Sequence, residues 1–164
     1  MDTDPGRASE RTWFVPSLLL LAATAVLGAY LYPGMPDPVP VHWNGAGIPD
    51  RFAGKSVFAV FSPLLIGTGV VAFLWLLYRF LPAMASKGAQ DAARAALEAR
   101  AGKDVLAALT PALAILFSWL CVTGWLELTS VWTIWPPMLL LMGFALRLVI
   151  RAVRHVTAPP TPPR

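Results

Sequence analysis

The sequence predicts an all-α membrane protein: four transmembrane helices, N-in/C-in, with an extended or hairpin-like outward loop between helices 1 and 2. Three observations carry that expectation. Of the 164 residues, 57% are hydrophobic and only 13% charged, at a mean hydropathy of +0.62, whereas a soluble domain has about 25% charged residues. The apolar residues fall in four long blocks. Lys and Arg crowd the segments that would share one side of a membrane.

Residues 1–12 read as a cytoplasmic N-terminus carrying Arg7 and Arg11. The first block, Phe14 to Tyr32, has 19 residues without a charged or histidine side chain. A helix needs roughly 20 apolar residues to cross hydrocarbon, so this is span one. It is longer than the apolar core of a cleaved secretory signal and no clean small-x-small site follows it, so it reads as a retained span. Pro16 falls near its first turn, where a missing N–H costs little.

Val57 to Tyr78 and Val105 to Leu126 each supply 22 such residues, and Val131 to Leu146 supplies 16, reaching Ile150 once Arg147 is admitted. A backbone in hydrocarbon satisfies its own polar groups, which selects helices. Pro63, Pro111 and the pair Pro136-Pro137 each remove an intrahelical bond and predict a kink or a late start. Span four begins either near Val131 or near Pro136. Kinks at Pro63 and Pro136 would open a shallow vestibule beneath the first loop, unless neighbouring helices fill them. Cys121, the single cysteine, lies inside span three and reads as a packing residue.

Between spans two and three, residues 82–104 read as a solvated cytoplasmic helical linker. AQDAARAALEARAG is alanine-rich, and Asp91, Arg94 and Glu98 stand at helical spacing. Leu97 is its only large apolar residue, too little for a strong docking face. The remaining divisions are a membrane domain at 13–81, helices 3 and 4 at 105–154, and a disordered Pro-rich tail at 155–164.

Orientation follows from cation counts. Eleven of the 13 Lys and Arg residues fall on the side of the termini and the second loop, leaving Arg51 and Lys55 on the other. Positive residues beside a span stay in the cytoplasm, so the first loop faces outward. Trp119, Trp125, Trp132 and Trp135 would gather at the outer interface, and Trp13 and Tyr78 at the inner one. The net charge of +4 fits a basic inner face beside anionic lipid, and no nucleic-acid partner is needed.

The outward loop, residues 33–56, is the one long polar connection. Loops beyond about 15 residues are uncommon unless functional or disordered, and Val39, Val41, Trp43, Ile48 and Phe52 argue against disorder. Pro36, Pro38 and Pro40 fix an extended backbone and remove the N–H donors from one edge. The other edge is expected to pair with Ile48 to Phe52 after a turn at Asn44-Gly45. Trp43 would lie at headgroup level, and Ser56 would cap span two. His42 and Asn44 would bond the loop's own backbone or meet a partner. Asp50 and Arg51 would form a local ion pair, and Arg51 and Lys55 would reach phosphates.

Met35-Pro36-Asp37, Val39-Pro40-Val41-His42-Trp43-Asn44, Gly47-Ile48-Pro49-Asp50 and Lys55 resemble the signature of a bacterial integral-membrane domain family of unknown function. That domain also forms the N-terminal part of SdpI-type bacteriocin-immunity proteins. Met35 stands where the family has Leu, and the glycine-arginine signature of the longer immunity proteins is not found between Val105 and Arg164. The match runs over roughly Phe14 to Leu81. The resemblance implies membership of the domain family, with immunity or toxin sensing as one role. Candidate binding residues in the loop are Pro36, Asp37, Pro40, His42, Trp43, Asn44, Gly47, Pro49, Asp50, Arg51 and Lys55.

Catalysis is not expected. His42 and Asp50 are the only outward pair able to shuttle protons, and Cys121 in the membrane is remote from both histidines, so no nucleophile has a positioned base. His42, Asp37 and Asp50 make at best a poor metal site, and neither a metal nor a cofactor is expected. The first three spans carry no ionisable group to mark a proton path. Two functions stay open: an accessory, sensor or immunity-like protein binding a peptide, lipid or partner protein at the loop, and an oligomeric channel or transporter subunit lined by Thr68, Thr110, Ser118 and Thr123. Expected partners are the lipid bilayer, a peptide toxin or partner membrane protein, and further copies of the chain.

Overall fold

A computed structural model of the chain describes residues 13–86, 91–128 and 130–157. Expectations for the N-terminal arginines, Lys87 and the tail beyond residue 157 lie outside the described residues. Four long helices form: α1 (Phe14–Leu31), α2 (Val57–Ser86), α3 (Ala92–Trp125) and α4 (Val131–Thr157). All four are long and apolar enough to cross a membrane, which makes this a multi-pass membrane protein. A short 3-10 turn (Tyr32–Gly34) and two strands, β1 (Val39–Trp43) and β2 (Pro49–Ala53), fill the connection between α1 and α2.

The core lies where α1, α2 and α3 meet, around Phe14, Leu21, Leu64, Val71, Ala114 and Cys121. Cys121 is a buried packing residue there. Small residues let the helices approach closely. A Cβ on Gly28 would lie 2.5 Å from the Trp125 ring, and one on Gly67 would lie 2.6 Å from Phe117. Buried hydroxyls are spent inside the protein: Thr24 Oγ1 donates to Ser118 Oγ at 2.9 Å, joining α1 to α3, and Thr110 Oγ1 donates to the Leu106 carbonyl. The helix α4 packs mainly against α3 and contributes no buried residue.

The prolines do not end their helices. Pro63 lacks the N–H that would bond the Ala59 carbonyl, and Ser62 Oγ donates to that carbonyl at 3.2 Å instead. Likewise Pro137 leaves the Thr133 carbonyl without its intrahelical donor, and the Trp119 indole N–H of α3 fills the place at 2.8 Å. A freed carbonyl is tolerated in a membrane helix when a neighbour re-satisfies it. For this reason α4 starts at Val131 and keeps both prolines inside.

The alanine-rich segment is helical, as its composition predicts, and it continues directly into the third apolar block. The helix α2 runs on to Ser86, and the alanine-rich segment is the first third of α3, which continues unbroken to Trp125. Asp91 caps it, accepting from the Ala93 and Arg94 N–H groups, and Arg94 pairs with Glu98 at 3.1 Å. A Cβ on Gly102 would meet Leu81 at 2.7 Å, so this glycine serves the contact between α2 and α3. At about 1.5 Å per residue α3 is roughly 50 Å long, more than the roughly 30 Å of hydrocarbon, so one end projects.

Two outcomes test this packing. Gly28→Val overpacks the contact with Trp125 and Phe61 and should cost about 1–3 kcal/mol, seen as a lower melting temperature in detergent. Trp119→Phe keeps most of the ring volume but strands the Thr133 carbonyl. A loss of about 1–3 kcal/mol, with faster amide exchange at the start of α4, is the expected result.

Candidate functional site

The first loop folds as a hairpin. Its strands pair antiparallel, Val39 opposite Ala53 and Trp43 opposite Pro49, with compensating irregularities that place His42 opposite Arg51. The strand starts only at Val39; Pro36 and Pro38 precede it, with a cis Asp37–Pro38 peptide. Of the three regularly spaced prolines, Pro40 alone lies within β1.

Asn44 builds the turn. Its side-chain oxygen accepts from the Ala46 N–H at 2.9 Å and the Ile48 N–H at 3.1 Å, and its carbonyl accepts from the Gly47 N–H. This is the self-bonding habit of Asn in turns. Gly47 has φ +74°, a conformation that side chains other than glycine rarely adopt. A Cβ there would also lie 2.7 Å from the Ser130 backbone, so the turn rests against the segment before α4.

Further bonds fasten the hairpin to the helix ends. Asp37 Oδ1 accepts from the Lys55 N–H at 2.9 Å, which ties the start of the loop to its finish. The Lys55 ammonium turns back to the Met35 carbonyl at 3.0 Å and lies 5.6 Å from the Tyr32 ring centroid. Ser56 caps α2 through the Ala59 N–H, as its position predicts. Across the fold, the Trp135 indole N–H donates to the Gly45 carbonyl at 2.7 Å. Trp43 packs over Gly124, where a Cβ would stand 3.2 Å from its ring. This seat on α3 is available because residue 124 has no side chain.

Beneath the hairpin, Met35, Val39 and Val60 form a second buried cluster with Trp125 beside it, and the Trp125 indole donates to the Val60 carbonyl at 3.0 Å. A small apolar cleft opens there between the hairpin and the ends of α2 and α3, walled by Val39, Trp43, Pro63 and Leu120 among others. Pro63 thus lies under the loop as its position predicts, whereas Pro136 takes no part in that wall.

The outer face carries His42 and Asp50, joined Nδ1 to Oδ1 at 2.5 Å with side chains 51% and 41% exposed. The Asp50–Arg51 ion pair is replaced by this bond, because the irregular register brings Asp50 to His42. A hydrogen bond from Nδ1–H to the carboxylate leaves Nε2 of the neutral ring as an acceptor. Arg51 is exposed, as are Val41, Ile48 and Phe52.

The candidate residues therefore divide. Asp37, Trp43, Asn44, Gly47 and Lys55 hold the hairpin together, while His42, Asp50 and Arg51 are exposed. Pro36 and Pro40 line the cleft, and Pro49 opens β2. Sequence reasoning missed Trp135 and Gly124, which secure the hairpin from α4 and α3. No local pattern marks them, since Trp135 lies 90 positions from Gly45 in the chain. Among the described residues no three His, Cys, Asp or Glu side chains gather as a metal site would require. The hydroxyls of Thr68, Thr110 and Thr123 donate to carbonyls of their own helices.

The molecule is thus a multi-pass membrane protein with a folded hairpin pinned across the ends of its helices. Residues 19–67 match the model of a domain of unknown function, DUF1648, a span that takes in most of α1, the hairpin and the start of α2. No curated protein and no solved structure matches the chain.

Asn44→Ala removes both side-chain bonds of the turn while leaving the helices untouched. Hydrogen exchange at Ala46 and Ile48 should accelerate at least tenfold, consistent with about 1–2 kcal/mol for two bonds, and membrane insertion should be unchanged. Gly47→Ala should loosen the hairpin further, because it strains the backbone and pushes on Ser130. Protease sensitivity confined to residues 44–50 would report it.

Proposed function

We propose that this is a non-enzymatic recognition protein of the bacterial cell membrane, with both termini cytoplasmic and the hairpin outward, whose outer face binds a peptide, lipid or partner protein. The observation that carries the reading is the division of labour in the hairpin. Its turn, base and inner face are held by contacts with three helices, while His42, Asp50 and Arg51 stay exposed beside Val41, Ile48 and Phe52. A rigid surface loses little conformational entropy on binding. Mixed apolar and charged side chains suit a peptide or protein surface, and His42 offers a ring nitrogen for a donor. The resemblance to the N-terminal part of SdpI-type immunity proteins supports an accessory, sensor or immunity-like role. The positive-inside distribution of Lys and Arg supports the orientation.

Ala46 is exposed at the turn, so Ala46→Cys should react with a membrane-impermeant maleimide in intact cells. Labelling only after lysis would reverse the orientation. A photo-crosslinking residue at Phe52 should then trap a discrete adduct in intact cells, reduced several-fold by His42→Ala and by Arg51→Ala at unchanged protein level. Loss of protein level in those variants would instead make the outward residues structural.

A further inference from the structure

The hairpin marks one end of the bundle; the other end is basic. There α3 and α4 diverge around an open cleft of about 420 Å³ lined by Leu97, Arg100, Asp104, Val105, Leu148, Arg151 and His155, with alanines between them. The order of these residues along the helices is informative. Val105 opens the charge-free block of α3, and Leu148 lies within the last apolar stretch of α4, before Arg151. On each wall an apolar side chain, Val105 on α3 and Leu148 on α4, lies nearer the middle of the bundle than the arginine of that wall, with Asp104 between Arg100 and Val105. The boundary between charged and apolar side chains is the level of lipid phosphates in any membrane the four helices cross.

We infer that this cleft is a binding site for an anionic phospholipid, its phosphodiester held between Arg100 and Arg151 and an acyl chain lying along Val105 and Leu148. Guanidinium groups bind phosphate oxygens in pairs. Two arginines against the single Asp104 leave the cleft cationic whether or not His155 is protonated. Asp104 is an acceptor suited to a headgroup hydroxyl. Arg147 and Arg154 border a neighbouring groove on α4 that shares Arg151 and His155 with the cleft, and they raise the local potential further. General attraction of a basic surface to anionic lipid would act on every cation of this end; the cleft singles out two. It is independent of what the hairpin binds.

Native mass spectrometry of the full chain, released from mixed detergent–lipid micelles, tests this. The wild type should retain one phosphatidylglycerol in preference to phosphatidylcholine of the same chains. A charge-assisted hydrogen bond made directly to the phosphate contributes about tenfold or more, so Arg100→Ala with Arg151→Ala should lower retention about 100-fold. Arg79→Ala with Arg94→Ala removes the same charge from exposed positions outside the cleft and should leave retention within about twofold. Arg100→Lys with Arg151→Lys, which keeps the charge and the fold, should lie between. Equal retention of phosphatidylcholine, or equal losses in the two alanine pairs, would overturn the site. Inorganic phosphate should not displace the lipid; displacement would assign the cleft to a free anion.

Discussion

A peptide carbonyl inside hydrocarbon has no water to turn to, and this constraint organises the whole molecule. It forces the four apolar blocks into helices and then decides what two of the prolines require. Ser62 covers the carbonyl freed by Pro63, and the Trp119 indole covers the one freed by Pro137. The second repair crosses from α3 to α4, so satisfying one backbone group also fixes where the peripheral helix docks. Buried hydroxyls follow the same rule, bonding their own helix or, at Thr24 and Ser118, a neighbour.

The hairpin obeys a related logic outside the apolar layer. A two-stranded hairpin alone is marginal in water. Here it gains order from the helices beneath it: Trp43 on Gly124, the Val39 cluster on Val60, and Trp135 gripping Gly45. Tryptophans that composition alone would assign to the membrane interface are in part structural donors, because an indole N–H near a freed or exposed carbonyl satisfies two polar groups at once. The hairpin is consequently an extension of the bundle, and its outward side chains are held in place by contacts that reach three helices.

Much of the hairpin's interior was readable from its residues. Asn44-Gly45 marks the turn and Ser56 marks the next helix start, since each acts on its near neighbours, whereas of the alternating prolines only Pro40 lies in a strand. The Asp50–Arg51 pairing failed because strand irregularities changed which side chains meet. The alanine-rich segment is helical as its propensity predicts, but propensity shows that a segment is helical and not where the helix ends. A glycine packed on Leu81 is indistinguishable in sequence from a breaker.

By itself the sequence determined the number of helices, the hairpin and the asymmetry of charge, because burial in lipid and turn chemistry depend on composition and short-range pattern. Tertiary structure decided that α2 and α3 run past their expected limits, that His42 takes Asp50, and that Trp135 locks the turn from α4. It also decided that Arg100 and Arg151 face one cleft. Those outcomes depend on which distant groups come within bonding distance, and only the packing of complete helices sets that.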